Sequence, residues 1–492
     1  MSSTTDPQPG GFRPGMLLSD TRYRSYTFQV IAILVLGVVF WELYSNLINN
    51  LRAAGLNISW AFLGEPAGYD INQRPIEYDS QSTHARASVV GAINTLIVAF
   101  LACATATVIG VIAGVLRLSN NWVVSKLMSA YVEAFRNVPV LIWILIIFLA
   151  MSNILYQPRD FRGADPVATM YLFDSIAFTN RGVYVPGLDF TRSLGEMVFN
   201  FNGALTFFSF ATSAIAVLLV GGIMSIFGQQ IWAKLGVKSV AMSKVWATLG
   251  LVFVIRLFFR LRPDVAYSAD GSLNGTFGLS LNFLAFAVVI FAGWMIARYI
   301  GQQANKKQTE TGIRPTIWWM QALAVLLPVL VLGAFLGAYL SYPELKGFNF
   351  KGGIHLRLSL IALWFALAIY TGAFIAENVR AGIQAVSKGQ TEAAASLGLR
   401  PGRIMNLVIL PQALRVIIPP LISNYLNITK NSSLAIAVGY MDITGTLGGI
   451  TLNQTGRAIE CILLLMLFYL IISLGISAIM NVYNNRMKLK ER

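Results

Sequence analysis

Long apolar runs alternate with short polar breaks along this 492-residue chain. Ten runs read as spanning helices, at about 26–47, 88–116, 123–150, 206–226, 245–259, 281–300, 317–340, 358–384, 412–431 and 458–483. Most reach the roughly 20 apolar residues that a helix needs to cross a hydrocarbon core of about 30 Å. The runs are continuous rather than alternating, which argues against a membrane β-barrel. Two are irregular: 245–259 is short and holds Arg256, and 412–431 is interrupted by Pro419 and Pro420. The Pro-, Gly- and Asp-rich stretch 152–205 reads as a long outer loop, and 301–316 as a polar inner loop. The pattern predicts an all-α polytopic membrane protein with about ten transmembrane helices.

Composition agrees with that reading. Apolar residues make up 56% and charged residues 12%, about half the charge of an average soluble chain. A net charge of +15 does not require a nucleic-acid partner, because Lys and Arg gather in inner loops and beside anionic membrane lipid. An inside N-terminus puts Arg117, Lys234, Lys238, Lys244, Lys306, Lys307, Lys388, Arg400 and Arg403 in short inner loops. Both tails, 1–25 and 484–492, and the loop 385–411 are then expected in the cytoplasm. The N-terminal tail is too long and Pro-rich for a signal peptide.

Enzyme chemistry finds little support. Cys103 and Cys461 lie in apolar runs without metal or disulfide spacing. His84 and His355 both fall in expected outer segments, and neither H-E-x-x-H nor G-x-S-x-G occurs. No metal or cofactor is expected. Nor is there a G-x-x-x-x-G-K-[ST] phosphate cradle.

The segment 387–413, SKGQTEAAASLGLRPGRIMNLVILPQA, stands apart from the spans around it. Ser387 and Gln390 fit a capping box, and residues 391–397 favour a helix. Gly398 can end that helix in the left-handed conformation. Pro401 can open the next, and Pro411 can sit in the first turn of the following span. A run of small side chains lets another backbone approach closely, so this hairpin is expected to dock a partner.

The spacing Glu392-Ala393-Ala394, Gly398, then Val408-Ile409-Leu410-Pro411 resembles the EAA loop of ABC-importer permeases, with Val408 where Ile is usual. GAINTL (91–96), YVEAFRNVPVL (131–141), LPQALRVIIPPLISNYL (410–426) and KNSSLAIAVG (430–439) are similar to the permeases for polar amino acids, the His/Glu/Gln/Arg/opine group. The resemblance implies a five-span type I importer core in two parts, 88–151 and 358–483. An extra N-terminal span with its loop occupies 26–87, and an insertion with about four spans occupies 152–357. Those additions look like the larger permeases of general L-amino-acid importers. It further implies a cytoplasmic EAA loop at 387–411 that couples to a dimer of ABC ATPase subunits through Gln390, Glu392, Ala393, Ala394, Gly398 and Pro411. A second, similar permease, a soluble substrate-binding protein, polar L-amino acids as substrate and a bacterial inner-membrane location complete the implied picture. A heterodimer is favoured.

Ionisable groups inside spans cost about 2.5–3.5 kcal/mol at a helix centre on insertion scales and are candidates for function. Glu377, Asn378 and Arg380 lie in one span, with Glu377 and Arg380 on one face; a structural ion pair is the competing reading. Glu133 and Arg136 carry the same ambiguity. Asn424, Asn427 and Lys430 form a polar stripe suited to a zwitterion's path, or mark the helix exit into water. Asn94 and Thr95 are a weaker pair. Gly110-x3-Gly114 and Gly333-x3-Gly337 read as helix-packing spacings. An ion-coupled secondary transporter is the alternative function, but it would want broken helices in matching repeats, and no matching half is visible.

Overall fold

The computed structural model describes residues 21–487 except 54, 56–57, 164–165, 201–215, 218–219, 222–223, 225–244, 247, 254–263, 267–275 and 314. The expected span at 206–226 falls largely outside the described residues, and that at 245–259 partly so. Thr21–Ala53 (α1) belongs to a unit of its own, comprising residues 1–59. The second unit, from residue 60 onward, contains every other described element. Its helices are His84–Leu116 (α2), Trp122–Asn137 (α3), Val140–Ile154 (α4), Leu281–Thr311 (α5), Trp318–Phe335 (α6), Leu358–Gln384 (α7), Lys388–Ser396 (α8), Pro401–Ile404 (α9), Leu410–Asn431 (α10) and Ala458–Met487 (α11). Eight helices among the described residues are long and apolar enough to cross a membrane.

The helical core is built on α7. In its most apolar window 61% of residues are buried, against none in α6 or α11. Its neighbours α2, α4 and α10 contribute Val98, Ala102, Ala106, Ile144, Ala413 and Ile417 to one apolar cluster with Leu363, Leu367 and Ile375. Lipid tails are as apolar as these side chains, so close packing rather than the hydrophobic effect holds such helices together. Close packing explains the small residues: a Cβ on Gly110 would stand 2.5 Å from Ile375, and one on Gly114 2.7 Å from the Ala376 carbonyl oxygen. These contacts, with the Trp364 Nε1 bond to Thr105 Oγ1, show α2 and α7 running parallel.

Several expectations need correction. The span at 123–150 is two helices, broken at Val138, which is extended (φ −111°, ψ 134°) before Pro139; the proline ring disfavours a helical residue ahead of it. Pro419 and Pro420, by contrast, sit inside an unbroken α10. The polar stretch 301–311 continues α5. Gly333-x3-Gly337 is not a packing motif: a Cβ on Gly333 would make an ordinary 3.7 Å contact, while Gly337 follows the end of α6 with φ +66°. In the α5–α6 pair the close approach is at Gly293, 2.7 Å from the Ala324 carbonyl oxygen.

The fold is the expected α-helical polytopic one, with short strands beside the helices. Ten short strands lie between α4 and α7 among the described residues. Ala177–Thr179 (β1), Gly182–Val185 (β2) and Ile354–Arg357 (β10) form an antiparallel sheet in which Tyr184 faces both Ala177 and His355. Gly187–Phe190 pairs with Ala338–Ser341, Glu196–Asn200 with Asp264–Ala266 and Thr276–Ser280, and Glu344–Lys346 with Asn349–Lys351. The stretch 152–205 is thus partly a set of strands, and β2 brings it beside β10 at the start of α7.

Candidate functional site

The hairpin 387–411 follows the end of α7 at Gln384 after a short turn. Ser387 is extended and precedes α8, but its side chain makes no capping bond. The expected capping box is replaced by the backbone: the Gln390 N–H donates to the Ser387 carbonyl at 3.2 Å, so that donor needs no hydroxyl. Gly398 adopts φ +76°, and the Gly398 and Leu399 N–H groups donate to the Ala395 and Ala394 carbonyls. Pro401 opens α9. Residues 405–409 then form a π-helical turn in which the Leu410 N–H donates to the Met405 carbonyl. A proline in a continuous α-helix clashes with the carbonyl four residues back. The wider turn lets the chain pass without a break into α10, with Pro411 in its first turn as expected.

Gln390, Glu392 and Ala393 are exposed, Ala394 is buried, and Pro411 is half-buried. Sequence reasoning missed two features of this tip: Leu397 and Leu407 are 81% and 66% exposed. Large apolar side chains on a polar hairpin are a docking signal, and their place in the EAA segment was the available hint.

Glu377 and Arg380 do meet, but within a larger cluster. Arg380 donates to one Glu377 carboxylate oxygen at 3.0 Å. Arg117, just past α2, donates to the other oxygen, and Arg136 of α3 stands 3.8 Å from that same oxygen. Arg136 also lies over the Phe374 ring, 5.3 Å from its centre. Asn378 is half-buried on α7, and Glu133 is exposed on α3.

On α10 beyond its first residue, the exposed positions are Val416, Pro419, Ser423, Asn427 and Lys430. Their spacing of three or four residues makes one continuous stripe, apolar toward the hairpin and polar toward Asn431. Asn424 lies beside it, half-buried, with its amide Nδ2 buried and lacking a partner among the described residues.

Asn94 and Thr95 are fully buried at the end of the bundle opposite the hairpin. The Asn94 amide donates to the Gln73 and Met441 carbonyls, each at 2.9 Å. Thr95 Oγ1 accepts from the Ile443 N–H at 3.1 Å and donates to Gly91. Asp442, also fully buried, accepts from the Gly445 N–H at 2.8 Å. Removal from water pushes its carboxyl up to about 6. This is a structural knot that pins the non-spanning turns 440–451 to α2. Among the described residues no group of His, Cys, Asp and Glu could hold a metal.

Comparison with known proteins fits this arrangement. Residues 289–489 match the family described as binding-protein-dependent transport system inner membrane component. The chain is 44% identical, over its whole length and that of its relative, to the glutamate/glutamine/aspartate/asparagine transport system permease protein BztB of Rhodobacter capsulatus. It is 38% identical, over 95% of each chain, to the putative amino-acid ABC transporter permease protein YhdX of Escherichia coli. It is 36% identical to the general L-amino acid transport system permease protein AapQ of Rhizobium johnstonii, over 98% of this chain and 96% of that one. Two parallel core helices, a π-turned hairpin between α7 and α10 and full-length similarity to three such permeases lead to one conclusion: the chain belongs to the amino-acid ABC transporter permeases, as a multi-pass inner-membrane subunit.

Proposed function

We propose that this chain forms half of the translocation pathway of an ATP-driven importer for polar L-amino acids. Glutamate, glutamine and their relatives are the favoured cargo, by analogy with the relatives named above. The observation that carries the reading is the hairpin 387–411. It is short, is set one tight turn past α7, runs on into α10, and presents Glu392, Ala393 and Leu397 to a partner. A separate ATPase dimer is proposed to grip it, so that its opening and closing move α7 and α10 as levers. Hydrolysis belongs to that partner.

A second permease is supported by α10. A stripe carrying Ser423, Asn427 and Lys430 would be costly against lipid. Facing another permease across a wet path satisfies it, and Asn424 lies at its edge. We favour a distinct permease as that second subunit and a soluble binding protein as the donor of substrate. The hairpin and both chain ends are assigned to the cytoplasm, and 152–357 is read as accessory to the pathway.

The test is Glu392→Lys in the complete importer reconstituted in vesicles. Insertion should be unchanged, and ATPase stimulation by substrate-loaded binding protein should fall about tenfold or more, a coupling loss of about 1.4 kcal/mol. Uptake that needs no ATPase and follows a proton or sodium gradient would reject the proposal.

A further inference from the structure

We propose that Glu377 is a positioning residue of transport coupling, which clamps α2 and α3 to α7 so that force on the hairpin moves three helices together. This rests on the proposed role of the hairpin. The competing assignment, direct contact with substrate, fits the geometry poorly. Both carboxylate oxygens are already engaged, one by Arg380 and the other by Arg117 and Arg136. Three guanidinium groups around one carboxylate also repel a substrate ammonium group.

The same place is stitched by further bonds. Arg117 Nε donates to Ser129 Oγ at 3.1 Å, and the Ser125 hydroxyl donates to the Arg117 carbonyl at 3.0 Å. Tyr131 OH donates to the Ile369 carbonyl at 2.6 Å. The turn between α2 and α3 is thereby tied to the face of α7 that carries Glu377. Glu377 lies seven residues before the end of α7 at Gln384, about 10 Å along the helix at 1.5 Å per residue, and only the short turn 385–387 separates α7 from α8.

Charge makes the clamp sensitive. Three guanidinium groups converge on one carboxylate. If the carboxylate is lost, three like charges are left together at a partly buried site, and they repel. The arginines are also not sealed away: their side chains are 14%, 34% and 40% exposed for Arg117, Arg380 and Arg136. Water can therefore reach the cluster, and its bonds can be broken and remade in a transport cycle.

The experiment uses the complete importer in vesicles, with Glu377→Gln, Glu377→Asp and Arg136→Gln beside Glu392→Lys. Assembly, uptake and the ATPase stimulation by loaded binding protein are measured for each. Glu377→Gln should assemble, yet lose about tenfold in uptake per ATP hydrolysed, the scale of coupling that one packed contact carries. Glu377→Asp should recover part of the loss, and Arg136→Gln should show a smaller defect of the same kind. Should Glu377→Gln fail to assemble, Arg136→Gln decides: normal uptake per ATP there overturns the clamp. A changed KM or amino-acid preference with unchanged uptake per ATP overturns it in favour of substrate contact. If Glu392→Lys uncouples and the Glu377 and Arg136 variants do not, the clamp alone fails. If Glu392→Lys is without effect, the hairpin reading fails instead.

Discussion

The two ends of the α2–α7 pair are held by different chemistry. At the far end Asn94, Thr95, Asp442 and Thr446 are fully buried and bond mainly to backbone groups of the turns 440–451. At the hairpin end Glu377 meets three arginines in a partly exposed cluster. A sealed network of buried bonds has one low-energy arrangement, and breaking it strands buried polar groups. An exposed charge cluster can exchange partners with water at small cost. The far end is built to stay, and the hairpin end to be worked.

The variants that break this contrast differ in size. Asn94→Leu would strand the Gln73 and Met441 carbonyls, each costing about 1–3 kcal/mol. Detergent-solubilised protein should lose several degrees of melting temperature, and hydrogen exchange at 440–451 should rise. Glu377→Gln should lower stability less, by about 1 kcal/mol, because the site is partly solvated. An equal or larger loss of melting temperature than for Asn94→Leu would erase the distinction. Salt sharpens it further. Raising ionic strength to about 1 M, where screening acts within about 3 Å, should loosen exchange protection near Arg117 and Arg136 and leave 440–451 unchanged.

The smallest effect is expected at the sheet beside the far end. The His355 ring stacks on Tyr184 at 4.0 Å. Burial first, and Arg357 second, hold its pKa at about 4 instead of 6.5. The folded sheet thus keeps the ring neutral, while the unfolded segment takes up a proton below about 6.5. Stability of β1, β2 and β10 should be full above pH 6.5 and decline as pH falls toward 4. Protease resistance of this sheet, compared with His355→Gln, should show that decline in the native chain and flatten in the variant.

Local signals account for what the sequence made readable. The apolar runs that fall on described residues, Gly398, Pro401 and the Glu377–Arg380 spacing all act within a few residues, and the structure has each of them. The break at Val138–Pro139 was also written locally, but a continuous apolar run concealed it. The Ser387 cap was read where the backbone had already met the demand. Arg117 and Arg136 gave no signal as partners of Glu377, because chain distance says nothing about which helix ends meet. The strands were hidden for a similar reason: β2 and β10 are four residues each, and each is defined by a partner about 170 residues away.

The amino-acid sequence by itself determined that this chain is a membrane permease with a helical hairpin between two of its spans. Hydrophobic length, cap residues and motif spacing are properties of the chain and need no fold to be expressed. Only the tertiary structure decided that one carboxylate gathers three helices, that Asn94 and Thr95 close a buried knot, and that α10 turns a polar stripe outward. Those outcomes depend on how close packing at Gly110 and Gly114 sets two distant helices side by side, and packing of that kind is a relation between segments.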